Sequence, residues 1–287
     1  MRISKKDLFG YLFLVVSTLA VLTAASALKC ATEISSQYYE IRSAKITEPL
    51  RIVQLSDLHS HVFGRDNDVL AELVTAQRPD LVVMTGDMMD KQDENADVVC
   101  SLIRQLQDAA PVYCCYGNHE KDWMKRNSAD LTAQLEAAGA VVLDLEFADI
   151  TVKEQKLRLG GFHGYYRYWG MLPRDGGEEE FAEAFEDTDC YRILLNHIPT
   201  VWIDWGRIHS FPVELVFTGH YHGGQIRIPL IGSVYAPYIG FFPEYTEGIF
   251  VGDTATAVLS TGLGSSPGIP RINNLPQIVV VDLMPEE

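Results

Sequence analysis

Leu50-Arg51-Ile52-Val53-Gln54-Leu55-Ser56-Asp57-Leu58-His59 is the stretch that decides how this chain folds. A short, mainly apolar run stops at Ser56-Asp57, small polar residues suited to a turn. The same pattern returns twice. Leu81 to Thr85 ends at Gly86-Asp87, and Val112 to Tyr116 ends at Gly117-Asn118-His119. Helical periodicity fills the intervals. Val69, Leu70, Leu73 and Val74 line one face of a helix within Asp66 to Gln77, and Pro79 follows it. Val98, Leu102, Ile103 and Leu106 line a second. Ser128 is placed to cap a third, carrying Leu131 and Leu135 and closed by Gly139. Strand–helix repeats of this kind predict a parallel-type α/β core.

Further strands are expected at Leu157 to Leu159, Tyr191 to Leu195, Leu215 to Thr218, Thr256 to Ser260 and Gln277 to Leu283. In open α/β sheets, ligands bind beyond the carboxyl ends of the strands. The polar clusters fall there: Asp57 and His59, Asp87, Asn118 and His119, then His197 after Asn196, and His220 with His222 after Gly219. Gly86, Gly117 and Gly219 relieve crowding where backbone approaches a ligand. Carboxylate, imidazole and carboxamide groups together suit borderline divalent ions such as manganese, iron or zinc. Singly, each residue has an ordinary explanation. Asp57 could cap a turn, His197 could be a satisfied core histidine, and Gly117-Asn118 could be a simple turn. Five ordered blocks at strand ends are not explained that way.

At these residues the sequence resembles the calcineurin-like metallophosphoesterases, whose pattern is DxH, GD, GNH, a lone His and GHxH. The resemblance spans roughly Leu50 to Leu283. It implies a metallophosphoesterase-type β-sandwich flanked by helices, a four-layer αββα arrangement. It also implies two divalent metal ions: Asp57, His59 and His222 on the first, Asn118, His197 and His220 on the second, and Asp87 bridging both. His119 would be unligated and face the substrate phosphate. Two metals about 3.5–4 Å apart clamp a phosphoryl group and furnish a hydroxide at neutral pH. A neighbouring imidazole that protonates the leaving oxygen contributes ~10²–10⁴-fold. No Ser or Cys nucleophile motif is present, so direct water attack is expected. The resemblance is strongest to a membrane-associated bacterial branch, through the N-terminal apolar segment, Gly223-Gly224-Gln225 and Gly262-Leu263-Gly264. Some members of that branch cleave the pyrophosphate of a nucleotide-activated acylated sugar. A membrane-anchored scaffold without catalysis is the alternative, but it would be marked by loss of Asp87 or His119, and both are intact.

Composition narrows the partners. The chain has 23 Lys and Arg against 39 Asp and Glu, a net charge of −16. Duplex binding relies on cationic side chains to neutralise phosphates, so nucleic acid is not expected. A phosphorylated small molecule or lipid is, with bound metal supplying the positive charge. Five cysteines, none in a CxxC pair, read as buried free thiols, with Cys114 and Cys115 on opposite faces of a strand.

Arg2, Lys5 and Lys6 precede an uncharged apolar run, Leu8 to Leu28, of 21 residues, enough to span a bilayer as a helix. Basic residues before the run favour a cytoplasmic N-terminus and an extracytoplasmic remainder. A signal peptide cut near Ala25-Ser26-Ala27 is the competing reading. The run exceeds a usual signal core, so an uncleaved anchor is preferred. The expected organisation is an anchor or signal segment over 1–29, a tether over 30–44 and a catalytic domain over 45–287.

The acidic run around Glu178 to Glu180 reads as the solvated face of an amphipathic helix carrying Phe181 and Phe185. His61, His163 and His209 lack motif context. Two aromatic stretches remain: Tyr165, Tyr166, Tyr168 and Trp169, and then Ile226 to Phe250. The second is either hydrophobic core, an apolar wall for a lipid-like substrate, or a surface resting on a bilayer.

Overall fold

In the computed structural model, residues 5–162, 177–236, 239–266 and 268–286 are described. His163 and the first aromatic stretch lie outside them. A helix α1 (Lys5–Thr32) leads into strand β1 (Ser35–Ser43) and then into β2 (Leu50–Leu55). Next come α2 (Asp68–Ala76), β3 (Leu81–Thr85), α3 (Asp97–Leu106), β4 (Val112–Cys115), α4 (Asn118–Arg126), α5 (Leu131–Ala137) and β5 (Ala140–Val142). With β15 (Gln277–Pro285), the strands of this half form one sheet in the order β1-β15-β2-β3-β4-β5. β2 through β5 run parallel, and β15 enters antiparallel to β2.

The second sheet is built from β6 (Glu146–Val152), β7 (Gln155–Gly161), β8 (Tyr191–Leu195), β9 (Leu215–Thr218), β13 (Gly248–Val251) and β14 (Thr256–Leu259). Its order is β13-β14-β9-β8-β7-β6, with α6 (Gly177–Glu186) between β7 and β8. A small third sheet joins β10 (Ile226–Ile228), β11 (Gly232–Ala236) and β12 (Gly240–Phe241).

Side-chain alternation stacks these sheets into layers. From β2, Leu50 and Ile52 join Leu81, Val83, Leu159, Ile193, Phe217 and Val258 in a core between the two large sheets. Val53 and Leu55 face the other way, onto α2, α3 and α5 through Leu70, Val74, Leu102, Ile103 and Leu135. On the far side, Phe181 and Phe185 of α6 pack against Leu194 and Val216. The result is the four-layer αββα sandwich. Cys114 joins the helix-side core and Cys115 the inter-sheet core, and all five cysteines are free.

The structure departs from expectation in three places. The stretch 30–44, read as a tether, continues α1 to Thr32 and then forms β1, which pairs parallel with β15 from Ser35↔Gln277 to Ser43↔Pro285. Its polar residues alternate outward on an edge strand, which hid the strand pattern. α4 was not anticipated, because Asn118 and His119 open it and read as loop chemistry. α5 is capped by Asp130, whose Oδ1 accepts from Ala133 N at 3.0 Å, and not by Ser128.

Candidate metal centre

Each of the anticipated strand ends delivers its polar residues to one place. The backbone there is unusual: Asp57, His59, Ser60, Asp87, His220 and His222 all have φ between 48° and 73°. Left-handed conformations are uncommon for residues other than glycine and cost of order 1–3 kcal/mol each when held in place. Chain turns of this kind aim consecutive side chains into one cleft. Two glycines allow the close approach. A Cβ on Gly117 would sit 2.2 Å from Asp87 Oδ1, and one on Gly219 2.0 Å from Ser56 Oγ.

The side chains form two buried groups. Asp57, His59 and His222 bring one ligand atom each within 4.8 Å of one another, and so do Asp87, His197 and His220. His59 Nε2 faces His222 Nε2 at 3.3 Å, and His197 Nε2 faces His220 Nδ1 at 3.1 Å. Asp87 Oδ2 stands between them, 3.1 Å from His197 Nε2 and 3.9 Å from His59 Nε2. Asn118 is buried, and its Oδ1 has no hydrogen-bond partner; nor do His59 Nδ1 and His222 Nδ1. A buried acceptor left unpaired is costly, and paired imidazole nitrogens compete for one proton. A cation between the facing nitrogens of each group removes the competition for a proton, and with the carboxylates beside them the donor set fits two divalent ions.

Neighbouring groups fix these donors. His197 Nδ1–H donates to Thr85 O at 2.8 Å, which turns Nε2 towards Asp87 Oδ2. His220 N donates to Asp57 Oδ1 at 2.9 Å, and His119 N to Asp87 Oδ1 at 2.8 Å. Burial holds His59 down to about 4 and His220 down to about 3, and pushes His222 well below the ordinary imidazole value. Asp57 is pushed up to about 6 by burial. For Asp87, burial raises the carboxyl, but the charges of His197, His119 and His59, with the His197 hydrogen bond, together outweigh it and hold Asp87 well below its usual range. His197 is correspondingly raised to about 10: burial opposes its charge, but the charge and hydrogen bond of Asp87, with Asp57 and Thr85 O, together outweigh burial.

Four supporting residues were not singled out in the sequence. Glu120 is buried, and its carboxylate accepts from the backbone N–H of Asp87, Met88, Met89 and Gly117 at 2.7–3.2 Å. It pins the Asp87 loop to the start of α4. Asp90 Oδ2 lies 3.5 Å from His119 Nδ1, and with His59 and His119 it closes a third cluster. Gln54 Nε2 donates to Thr85 Oγ1 at 2.9 Å and Thr218 O at 2.8 Å, tying the two large sheets together beneath the site. Arg271, also buried, donates to Gly264 O, Thr261 O and His222 O. The signals were thin: Glu120 directly follows the Gly117-Asn118-His119 block, and Asp90 stands three residues after Asp87.

The other described histidines lie elsewhere. His61 Nε2 is 3.1 Å from Ala31 O of α1, and His209 pairs with Asp253 on the surface.

The model of the calcineurin-like phosphoesterase family matches residues 50–224. The chain belongs to this family. Like its other members it is a metal-dependent phosphoesterase, a binuclear enzyme using two divalent metal ions. Among its relatives is YkuE of Bacillus subtilis, described as an uncharacterized metallophosphoesterase. It is 28% identical over 242 residues, covering 81% of this chain and 78% of its own. The phosphodiesterase YaeI of Escherichia coli is 26% identical over 240 residues, covering 82% and 83%. Among solved structures, a dimetal phosphatase from Danio rerio aligns with 77% of this chain and 90% of its own, at 11% identity and a TM-score of 0.41.

Proposed function

We propose that this phosphoesterase cleaves a phosphodiester or pyrophosphate bond in an amphiphilic substrate presented at a membrane. In this reading Asp57, His59 and His222 hold one ion, Asn118, His197 and His220 hold the other, and Asp87 is shared. The observation that carries it is the position of Asp87 Oδ2 between two facing imidazole pairs. Bound divalent ions would neutralise phosphoryl charge and lower the pKa of water.

The chain's own residues do the rest. Lys91 N donates to His119 Nδ1 at 3.2 Å, so the neutral ring carries its hydrogen on Nε2. That N–H can donate a hydrogen bond to the departing oxygen as negative charge develops on it. Asp90 Oδ2 stands 3.5 Å from Nδ1 of the same ring and helps hold its orientation. Glu120 and Gln54 keep the ligand loops from drifting apart. The name of the Escherichia coli relative, a phosphodiesterase, favours a diester over a monoester. The long apolar α1 favours a membrane location.

The test is a hydrolysis panel with and without added manganese. It compares p-nitrophenyl phosphate, a bis-aryl phosphodiester and a lipid pyrophosphate. Metal-dependent turnover is expected, with the lipid pyrophosphate or the diester preferred. Equal preference for the monoester, or no turnover of any of the three by protein carrying two metal equivalents, would overturn the proposal.

A further inference from the structure

From Ile228 to Pro243 the chain carries no charged residue in sixteen, although its net charge is −16. This stretch holds most of the small third sheet, and among its described residues the large aliphatic and phenylalanine side chains named next face solvent, though Ala236 is buried. Leu230 is fully exposed at 108%, with Phe241 at 75%, Phe242 at 67%, Ile231 at 63% and Ile228 at 43%. An uncharged hairpin with an exposed short edge strand is a liability in water, and a contiguous apolar patch marks an interaction surface.

The contacts at its base say what covers it. Asn273 N donates to Ser26 Oγ of α1 at 2.8 Å, and Asn273 Nδ2 donates to Arg227 O of β10 at 3.1 Å. The hairpin is therefore fastened to α1 at Ser26. Closer to the C-terminal end of the helix, Cys30 is buried and Ala31 meets His61. Before Ser26 the helix leaves the domain, and its large apolar side chains are exposed. The apolar run Leu8 to Leu28, 21 residues, is about 32 Å long as a helix, close to the ~30 Å hydrocarbon core. Ser26 falls within the last turn of that run. The fastening point then lies at the membrane boundary, and the hairpin leaves from it.

We infer that the β10–β12 hairpin dips into the outer face of the bilayer beside α1, so that the domain touches the membrane at two places. Gln225, at the base of the hairpin, bonds through its N–H to His222 O at 3.0 Å, and Ser233 Oγ donates to Gly224 O at 3.1 Å. Hairpin and metal centre are thus joined through the His222 loop. This inference rests on the reading of α1 as a membrane helix. With −16 net charge, the contact is apolar and not an attraction to anionic headgroups.

Depth-dependent quenching tests it in the full chain reconstituted into phosphatidylcholine vesicles. Tryptophan is placed by L230W, F241W or, as a control within α1, L19W, and the response of the native tryptophans is subtracted. Lipids brominated on their acyl chains quench only what they touch, and acrylamide quenches what faces water. Loss of emission for L230W and F241W with bromolipids is expected, strongest for shallow bromines, with L19W quenched by deep ones. If L19W is quenched but L230W and F241W respond only to acrylamide, the hairpin lies in water and the inference fails while the anchor stands. If neither agent reaches L230W and F241W, protein covers them, such as a second copy, and the inference fails. If bromolipids leave L19W untouched, the anchor reading itself falls.

Discussion

Asp87 and His119 sit within hydrogen-bonding range of each other's neighbourhood, His119 N donating to Asp87 Oδ1 at 2.8 Å, yet the proposed roles separate them. Asp87→Ala removes the group between both imidazole pairs. Metal content and turnover should fall together, measured by elemental analysis and hydrolysis. His119→Ala should keep its metal and lose about 10²–10⁴-fold in turnover, with a smaller loss for good leaving groups. Metal loss in His119→Ala as deep as in Asp87→Ala would make His119 a ligand. The same side chains set the pH response of metal-free protein. His59 and His220 are held at about 4 and about 3, and His222 is also lowered, against an ordinary 6.5. The unfolded chain takes up these protons below pH 6.5 while the folded chain refuses them, so their stabilising contribution is lost as pH falls. Asp57, raised to about 6, acts oppositely: its contribution is present below 3.8 and lost as pH rises through about 6. His197, raised to about 10, contributes fully below 6.5 and is constant there. Within the site, three imidazoles stand against two carboxyls, Asp57 and Glu120, the second also raised by burial; the net is a loss between pH 6.5 and 4, ~1.4 kcal/mol per unit for each net proton. Denaturant midpoints of the metal-free protein should therefore be lower at pH 5 than at pH 7, and the reverse order would refute the accounting.

The elements that carry the site were legible because each strand is a mainly apolar run with a polar end. Buried parallel strands read that way, and β2, β3, β8 and β9 lie where the runs are. Glu120 was not legible, since a glutamate after Gly117-Asn118-His119 looks like a solvated helix residue until its four backbone donors are seen. The left-handed turns at Asp57, His59, Asp87, His220 and His222 were hidden too: Asp and His enter that region more readily than most residues, but only the surrounding packing decides which of them do. β1 was missed for a third reason. Ser35-Ser36-Gln37-Tyr38-Tyr39-Glu40-Ile41-Arg42-Ser43 is half polar, and its partner β15 lies more than 230 residues away. Its loss should nevertheless matter, because Tyr39 and Ile41 pack on the inter-sheet core and β1 covers one edge of β15. A chain begun at Ile46 should melt lower and aggregate more than one begun at Ile34, measured by thermal unfolding and light scattering. Equal melting temperatures would show that β1 adds nothing to the sandwich.

At the scale of the whole molecule, the question is which side of a membrane this sandwich occupies. α1 is long and apolar enough to cross a bilayer, and Arg2, Lys5 and Lys6 stand before its apolar run. Positive residues flanking a first span stay in the cytoplasm, so the catalytic domain is expected outside. Cysteine chemistry is compatible with that side. Exported proteins meet oxidising conditions, but a thiol reacts as its thiolate, and burial pushes Cys114 and Cys115 far above the ordinary thiol range. Cys30 and Cys100 are buried as well, and Cys190 is partly exposed. Free cysteines locked in separate core layers need not pair, even outside the cell. A reporter active only after export, fused after Glu287, should therefore be active, while a reporter active only in the cytoplasm, fused at the same place, should be silent. A membrane-impermeant thiol reagent applied to intact spheroplasts should label Cys190 alone, and all five cysteines after denaturation. A silent export reporter, with Cys190 labelled only after the membrane is broken, would place the metal centre in the cytoplasm and reverse the proposed topology.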